Sequence, residues 1–318
     1  MHPIDTLLAR HRFRAIELLP WLIAVAVYFV FGDYLSLGSQ VLIMILFALS
    51  LDLVLGYAGI VTLGHSAFFG VGAYAAGIYA AHVTGEPLSG LVVAACVAAA
   101  VGWLSGLVVL RTTGLTLLML TLAVTALLAE AANKASFITG GADGLQGMDI
   151  QPIFGIFRFD LFGRTAYLYC LAALFLTWLF ARRLVHSSFG RSLVGIRENT
   201  ARMHAIGSPV RRRLLTIYTI SAALAGIAGA LLAQTTQFVG LTVLGFQRSG
   251  EIVIMLVFGG IGRLYGAFVG ASLYMIAQDQ LAKLEPVFWS FWIGLLLVLL
   301  VMFARGGVLG LIDRLLRR

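Results

Sequence analysis

Ten apolar blocks, most of them near the ~20 residues an α-helix needs to cross a bilayer, divide this chain. The pattern predicts spans over Glu17–Phe31, Leu35–Leu55, Ser66–Val83, Leu88–Leu110 and Leu115–Ala132. After a long polar interval it predicts five more: Arg164–Phe180, Leu214–Gln234, Gly250–Gly260, Tyr265–Leu281 and Phe288–Phe303. Glycines crowd the third and eighth spans, and the eighth is short, so both are expected to be broken or re-entrant helices. The fold class is all-α: a polytopic transmembrane helical bundle, forming one membrane domain over residues 1–318. Between the blocks lie four polar stretches: a tail over residues 1–16, a loop over 133–163, a segment over 182–213 and a second tail over 304–318.

The 182–213 segment carries eight arginines (182, 183, 191, 197, 202, 211, 212 and 213) against one acid, Glu198. Arginine excess of this kind belongs on the cytoplasmic side. With ten spans, 17 of the 22 Lys and Arg residues fall on that side, and both tails lie there too. The loop over 133–163 is then external. Within the basic segment Leu193, Ile196, Thr200, Met203 and Ile206 recur at helical spacing, and Gly207 and Pro209 follow as stop signals. This predicts a short amphipathic helix with one apolar stripe, a surface on which something docks.

Composition agrees with the pattern. Of 318 residues 60% are hydrophobic and 11% charged, and the mean hydropathy is +0.98. A soluble domain carries about 25% charged residues. The net charge of +8 is accounted for by arginines at span ends, which leaves no basic domain for a nucleic acid. No cleavable signal is expected at the N-terminus, which carries Arg10, Arg12 and Arg14 ahead of the first span. Cys96 and Cys170 lie inside apolar runs and read as packing residues.

On this topology the second to fifth spans start outside and the seventh to tenth start inside. Each block holds a glycine-rich turn followed by a glycine-studded helix, over Gly56–Gly77 and Phe258–Tyr274. An inverted-topology repeat has this form. Polar groups beside a glycine-broken helix are where transport sites sit, which makes Thr62, His65 and Ser66 pathway candidates, with Glu251 in the second block. A hydrogen-bonded histidine at a helix interface accounts for His65 as well. In the external loop, Asp143 and Gln146 stand within TGGADGLQGM. Two readings are open for them: caps of backbone donors in a turn, or a surface that receives a substrate-delivery protein or lines the outer mouth of the pathway.

The ionisable residues Asp52, His82, Glu130, Glu251 and Asp279 each fall near a span end, so no mid-membrane acid relay for ion-coupled transport is visible. A GxxxxGK[ST] phosphate loop is excluded, because the two lysines, Lys134 and Lys283, do not follow a glycine. No triad or metal cluster stands out, and the chain reads as no enzyme by itself.

Six stretches together carry a resemblance. They are LDLVLGYAGIVTLGHSAFFGVGAYAAG (Leu51–Gly77), GGADGLQG (Gly140–Gly147), SSFGRSLVGIRENTARMHAIG (Ser187–Gly207), SAALAGIAGALLA (Ser221–Ala233), SGEIVIMLVFGGIGRLYGAFVGA (Ser249–Ala271) and FARGGVLGL (Phe303–Leu311). In order and spacing they resemble the LivM-type permease of branched-chain amino-acid ABC importers, over the chain from about Leu35 onward. The resemblance implies a second, LivH-type permease, two ATP-binding subunits that bind ATP and Mg, a periplasmic solute-binding protein and a bacterial inner membrane. It implies no cofactor in this chain. It also implies that Gly190–Gly207 is the ATPase-coupling segment. There Arg191, Arg197, Glu198 and Asn199 are expected to make polar contacts and Leu193, Ile196 and Met203 to pack, with Gly190 at its start. The competing cargo within this architecture is urea, an amide or an aromatic acid. The competing class is a stand-alone channel or ion-coupled carrier.

Overall fold

The computed structural model describes residues 18–30, 32–152, 157, 160, 163–303 and 306–316. The expected tail over 1–16 lies outside them, as does part of the 133–163 loop, Arg158 included. Helices dominate the described residues. They are α1 (Leu19–Val30), α2 (Leu35–Asp52), α3 (Ser66–His82), α4 (Pro87–Val109), α5 (Leu115–Lys134), α6 (Arg164–His186), α7 (Ser188–Glu198), α8 (Thr200–Ala205), α9 (Val210–Thr236), α10 (Phe246–Gly259), α11 (Leu264–Leu284), α12 (Trp289–Phe303) and α13 (Gly307–Leu316). Single turns of helix over Ser136–Thr139, Gly141–Asp143 and Leu241–Leu244 fill the connections.

Each of the ten expected spans is a helix, but their lengths differ. Among the described residues five are long and apolar enough to cross by themselves: α2 with its continuation to Tyr57, α4, α5, α6 and α9. The pair α10–α11 passes the same test together but is bent by 113° at the glycine turn between them. The remaining three apolar helices, α1, α3 and α12, have 12, 17 and 15 residues. The expectation of a broken or re-entrant segment holds at α10–α11. The third span is preceded by a non-helical connector over residues 58–65.

Local chemistry sets the helix ends. Pro87 opens α4, where the missing N–H costs nothing. Gly114 and Gly163, at φ +63° and +71°, reverse the chain ahead of α5 and α6. The end of α2 loosens into a π turn over Leu53–Tyr57.

The core sits where α9 crosses the first block. Its inner face is a run of small residues, Ala222, Ala225, Gly226, Gly229 and Ala233, all buried. It lies against α3 and α4. A Cβ on Gly226 would stand 2.4 Å from the Ala98 side chain, and one on Gly229 would stand 1.9 Å from the Phe69 carbonyl. Such close backbone approach is how helices gain packing contact in lipid, where burial from water supplies no drive. The relation is reciprocal: α2 packs against α10 and α11 of the second block, and α2 and α9 meet each other. Within each block, α3 lies on α4 as α10 lies on α11. Each block thus packs its first helix against the other block.

The glycine-rich loop between α5 and α6 forms a defined turn. Gly140, Gly141, Gly144 and Gly147 all have positive φ. Leu145 then pairs with Val239 in a two-way antiparallel bridge, with N–H···O distances of 2.8 and 3.1 Å. That bridge ties the loop to the segment that follows α9.

Candidate functional site

The basic segment differs from expectation in two ways. Its ends belong to the flanking helices: α6 runs on to His186, so Arg182 and Arg183 lie in its last turns, and α9 starts at Val210, so Arg211–Arg213 lie in its first. Long arginine side chains let a helix continue past the apolar core while their heads reach water. The expected single amphipathic helix is two helices, α7 and α8, broken at Asn199. The apolar period continues through this point, but Asn199 adopts an extended conformation and its Oδ1 accepts from the Arg202 N–H at 2.9 Å. The side-chain cap competes with continuation of the helix and wins. Replacing Asn199 with alanine is expected to cost about 1 kcal/mol of local helix stability. Hydrogen exchange over residues 200–206 should rise while α9 is unchanged.

At the other end of α7, Ser187 caps the helix by accepting from the Gly190 N–H at 3.2 Å. Gly190 is buried so tightly that a Cβ would meet the Val185 carbonyl at 2.2 Å. From this turn α7 folds back against α6, α9 and the π turn. Leu193 and Ile196 are buried at 1% and 2% exposure, and Met203 packs against Gly195. Arg191, Glu198 and Asn199 are exposed, as is Ile206 at 70%. The segment therefore has an anchored apolar side and a free polar side.

Arg197 joins the two sides. Its stem lies over Gly59, where an added Cβ would come within 2.6 Å of its Cγ. Its guanidinium donates to the Gly56 carbonyl of the π turn. One guanidinium nitrogen also lies 3.2 Å from where a Cβ of Gly262 would stand, in the α10–α11 turn. The tip of the basic segment thus reaches the glycine turns of both blocks. Beside it opens a cleft of about 580 Å³, lined in part by Gly59, Val61, Thr113, Leu115, Ile196 and Arg197.

The pathway candidates from the sequence fall at a separate junction. Thr62 is buried and accepts from the Gly64 N–H at 3.1 Å, which shapes the connector. His65 is fully buried, with Nε2 2.9 Å from Ser50 Oγ and 3.4 Å from Ser221 Oγ. Its ring stacks on Phe47 at 5.6 Å. Ser66 meets the second block: its N–H donates to Ser249 Oγ at 2.9 Å, and the Ser249 hydroxyl donates to Ser66 Oγ at 2.8 Å. Glu251 stands apart from these, half-buried and paired with Arg248 at 2.9 Å. Asp143 and Gln146 are both exposed, and Gln146 Nε2 reaches the Asp143 carbonyl at 3.4 Å.

Sequence reasoning missed Ser50, Ser221, Ser249 and Gly262, which complete these junctions. A serine inside an apolar helix was the available signal for the first three.

A bundle of apolar helices, with a basic element pinned to the turns at one end, defines a multi-pass helical membrane protein. Residues 34–312 match the family described as branched-chain amino acid transport system / permease component, and the chain belongs to that family. Among curated relatives is the high-affinity branched-chain amino acid transport system permease protein LivM of Escherichia coli. It is 27% identical over 295 residues, covering 86% of this chain and 69% of the relative. The probable branched-chain amino acid transport permease protein LivM of Methanocaldococcus jannaschii is 26% identical over 316 residues, covering 82% of this chain and 89% of the relative. The autoinducer 2 import system permease protein LsrC of an Enterobacter species is 30% identical over 142 residues, covering 43% of this chain and 41% of the relative. No solved structure matches the chain.

Proposed function

We propose that this permease is the membrane subunit of an ATP-driven importer in a bacterial inner membrane, with its tails in the cytoplasm. It works with a second, LivH-type permease, two ATP-binding subunits and a periplasmic solute-binding protein. ATP and Mg are held by the ATP-binding subunits, and this chain needs no cofactor of its own. The cargo is a branched-chain or related hydrophobic amino acid, as the printed names of the LivM relatives suggest.

The observation that carries this reading is the α7–α8 element. An arginine-rich helix pair that only enforced orientation would have no need of a guanidinium seated on the Gly56 carbonyl. A pinned element with Arg191, Glu198 and Asn199 facing outward suits a lever on which an ATPase bears. In this mechanism nucleotide closes the ATPase pair and displaces α7, and Arg197 passes the displacement to the glycine turns. The binding preference of each ATPase state for one position of the lever biases the two access states. Asp143 and Gln146 lie at the opposite end, where a solute-binding protein would deliver cargo. Thr62, His65, Ser66 and Glu251 border the pathway between.

The likeness to the autoinducer 2 permease favours a second reading of the cargo alone: a solute outside the amino acids, in the same architecture. The test is co-purification in detergent with candidate ATP-binding subunits, followed by ATP hydrolysis in lipid across a panel of binding-protein–ligand pairs. Stimulation by leucine, isoleucine or valine is the expected result. Stimulation by another solute alone moves the cargo. If no ATPase associates, the importer reading is overturned and a channel or carrier takes its place.

A further inference from the structure

The cluster beside Arg197 contains one group to which the reading above gives no task. Asp52 is the last residue of α2 and is fully buried. Its Oδ1 accepts from the Gly262 N–H at 2.7 Å, a contact between residues 210 apart in the chain. Its other oxygen, Oδ2, is buried with no hydrogen-bond partner among the described residues. A carboxylate in such a place is expensive, and what compensates it is what gives it meaning. Here that is one backbone donor from the second block and the nearby positive charge of Arg197.

The spacing leaves no slack. A Cβ on Gly56 would stand 2.2 Å from Asp52 Oδ1 and 2.5 Å from the Gly262 nitrogen, so the carboxylate, the π turn and the α10–α11 turn are in direct contact. Gly260 and Gly262 have φ of +112° and +77°, a backbone that side chains do not hold in place. Asp52 supplies the side-chain hydrogen bond from α2 to Gly262 itself, and Tyr57 of the π turn reaches the backbone of Leu264 beside it. The end of α2 is itself a π turn, a form in which a helix is easily rewound.

We propose that Asp52 is a positioning residue that binds the α10–α11 turn to the end of α2, so that Arg197 moves the glycine turns of both blocks as one body. The link runs from α7 through Arg197 to the Gly56 carbonyl, and from Asp52 in the same turn to the Gly262 N–H. This deepens the importer reading and rests on it for the source of motion, while the joint itself belongs to this chain.

The experiment places spin labels across the joint, at Ser188→Cys at the start of α7 and at Ile261→Cys, in the full chain with Cys96→Ser. Both labelled positions are exposed. In the isolated chain, Asp52→Ala should broaden and lengthen the distance distribution, and Asp52→Asn, which keeps an acceptor oxygen, should restore it. An unchanged distribution in Asp52→Ala overturns the proposal. If Asp52→Ala cannot be purified, Asp52→Asn decides: a distribution like the parent's supports the acceptor role, and a broadened one overturns it.

In the complex with its ATP-binding subunits, Mg with a non-hydrolysable ATP analogue should leave the parent distance constant, since the two sites move together, and should change it in Asp52→Ala. A nucleotide-dependent distance in the parent overturns the proposal. Absence of any ATPase association is a failure of the importer reading, and the isolated-chain distances then still decide the joint.

Discussion

Arg197→Ala should remove leucine uptake by the assembled transporter while leaving membrane insertion intact. The guanidinium seat on the Gly56 carbonyl is a hydrogen bond from a charged donor, a class worth about 1.5–3 kcal/mol. Losing it shifts the equilibrium that holds α7 on the π turn by about tenfold or more. The apolar anchors Leu193 and Ile196 stay buried in the variant, so α7 should remain folded but stop pressing on the turns. Transport then fails at transmission. Arg197→Lys keeps a charge on a shorter reach and loses the planar fork, so it should fall between the parent and alanine. Replacing Arg197 and Glu198 together should abolish uptake with expression and external binding-protein affinity preserved. Radiolabelled leucine uptake in proteoliposomes, normalised to inserted protein, is the measurement. Uptake within twofold of the parent would remove Arg197 from the coupling path.

The second large effect concerns folding. Gly270→Ala should prevent α10 and α11 from closing their hairpin. A Cβ on Gly270 would stand 1.8 Å from the Met255 carbonyl oxygen, and one on Gly259 would stand 1.7 Å from the Gly266 carbonyl oxygen. Carbon–oxygen contacts in close helix pairs settle near 3.3–3.6 Å. The clash is with backbone, so no side-chain rotation relieves it and the two helices must part along their length. Overpacking in a tight interior costs about 1–3 kcal/mol, and more where backbone has to shift. Both Gly270→Ala and Gly259→Ala should therefore reduce the monodisperse fraction in detergent and lower the temperature at which it aggregates. Gly294→Ala in α12 is the control, because a Cβ there meets nothing within 4 Å. Equal behaviour of the three variants would mean that the hairpin does not close as described.

Much of the fold could be read along the chain, for physical reasons that differ by element. The expected spans Ser66–Val83 and Leu115–Ala132 lie within a few residues of α3 and α5, because glycines and polar clusters mark the ends of the apolar runs. The matched family segment, 34–312, starts where the resemblance was expected to start. The break at Asn199 was hidden because Ile196, Thr200 and Met203 keep the helical period across it. Only the capping chemistry of Asn opposes that period, and a single Asn in a polar stretch is a weak signal. Asp52 was visible as a charge near a span end, but its partner is a backbone N–H 210 residues away, and a backbone donor leaves no trace in sequence. His65 drew notice as a polar group at a glycine turn. Its place between Ser50 and Ser221 depends on how α2 crosses α9, which periodicity within either helix does not encode.

The short length of α10 and α12 bears on the lipid around the protein. At 1.5 Å per residue the 14 residues of α10 cover ~21 Å and the 15 of α12 cover ~22 Å, against ~34 Å for the 23 of α4 and α6 and ~40 Å for the 27 of α9. The hydrocarbon layer is ~30 Å thick. α10 and α12 pack against each other and against α11, so their shortfalls adjoin. Acyl chains beside them must shorten or splay to meet the protein, while beside α4 they need not. Membrane thickness then acts as a mechanical load next to the turn that Arg197 and Asp52 hold.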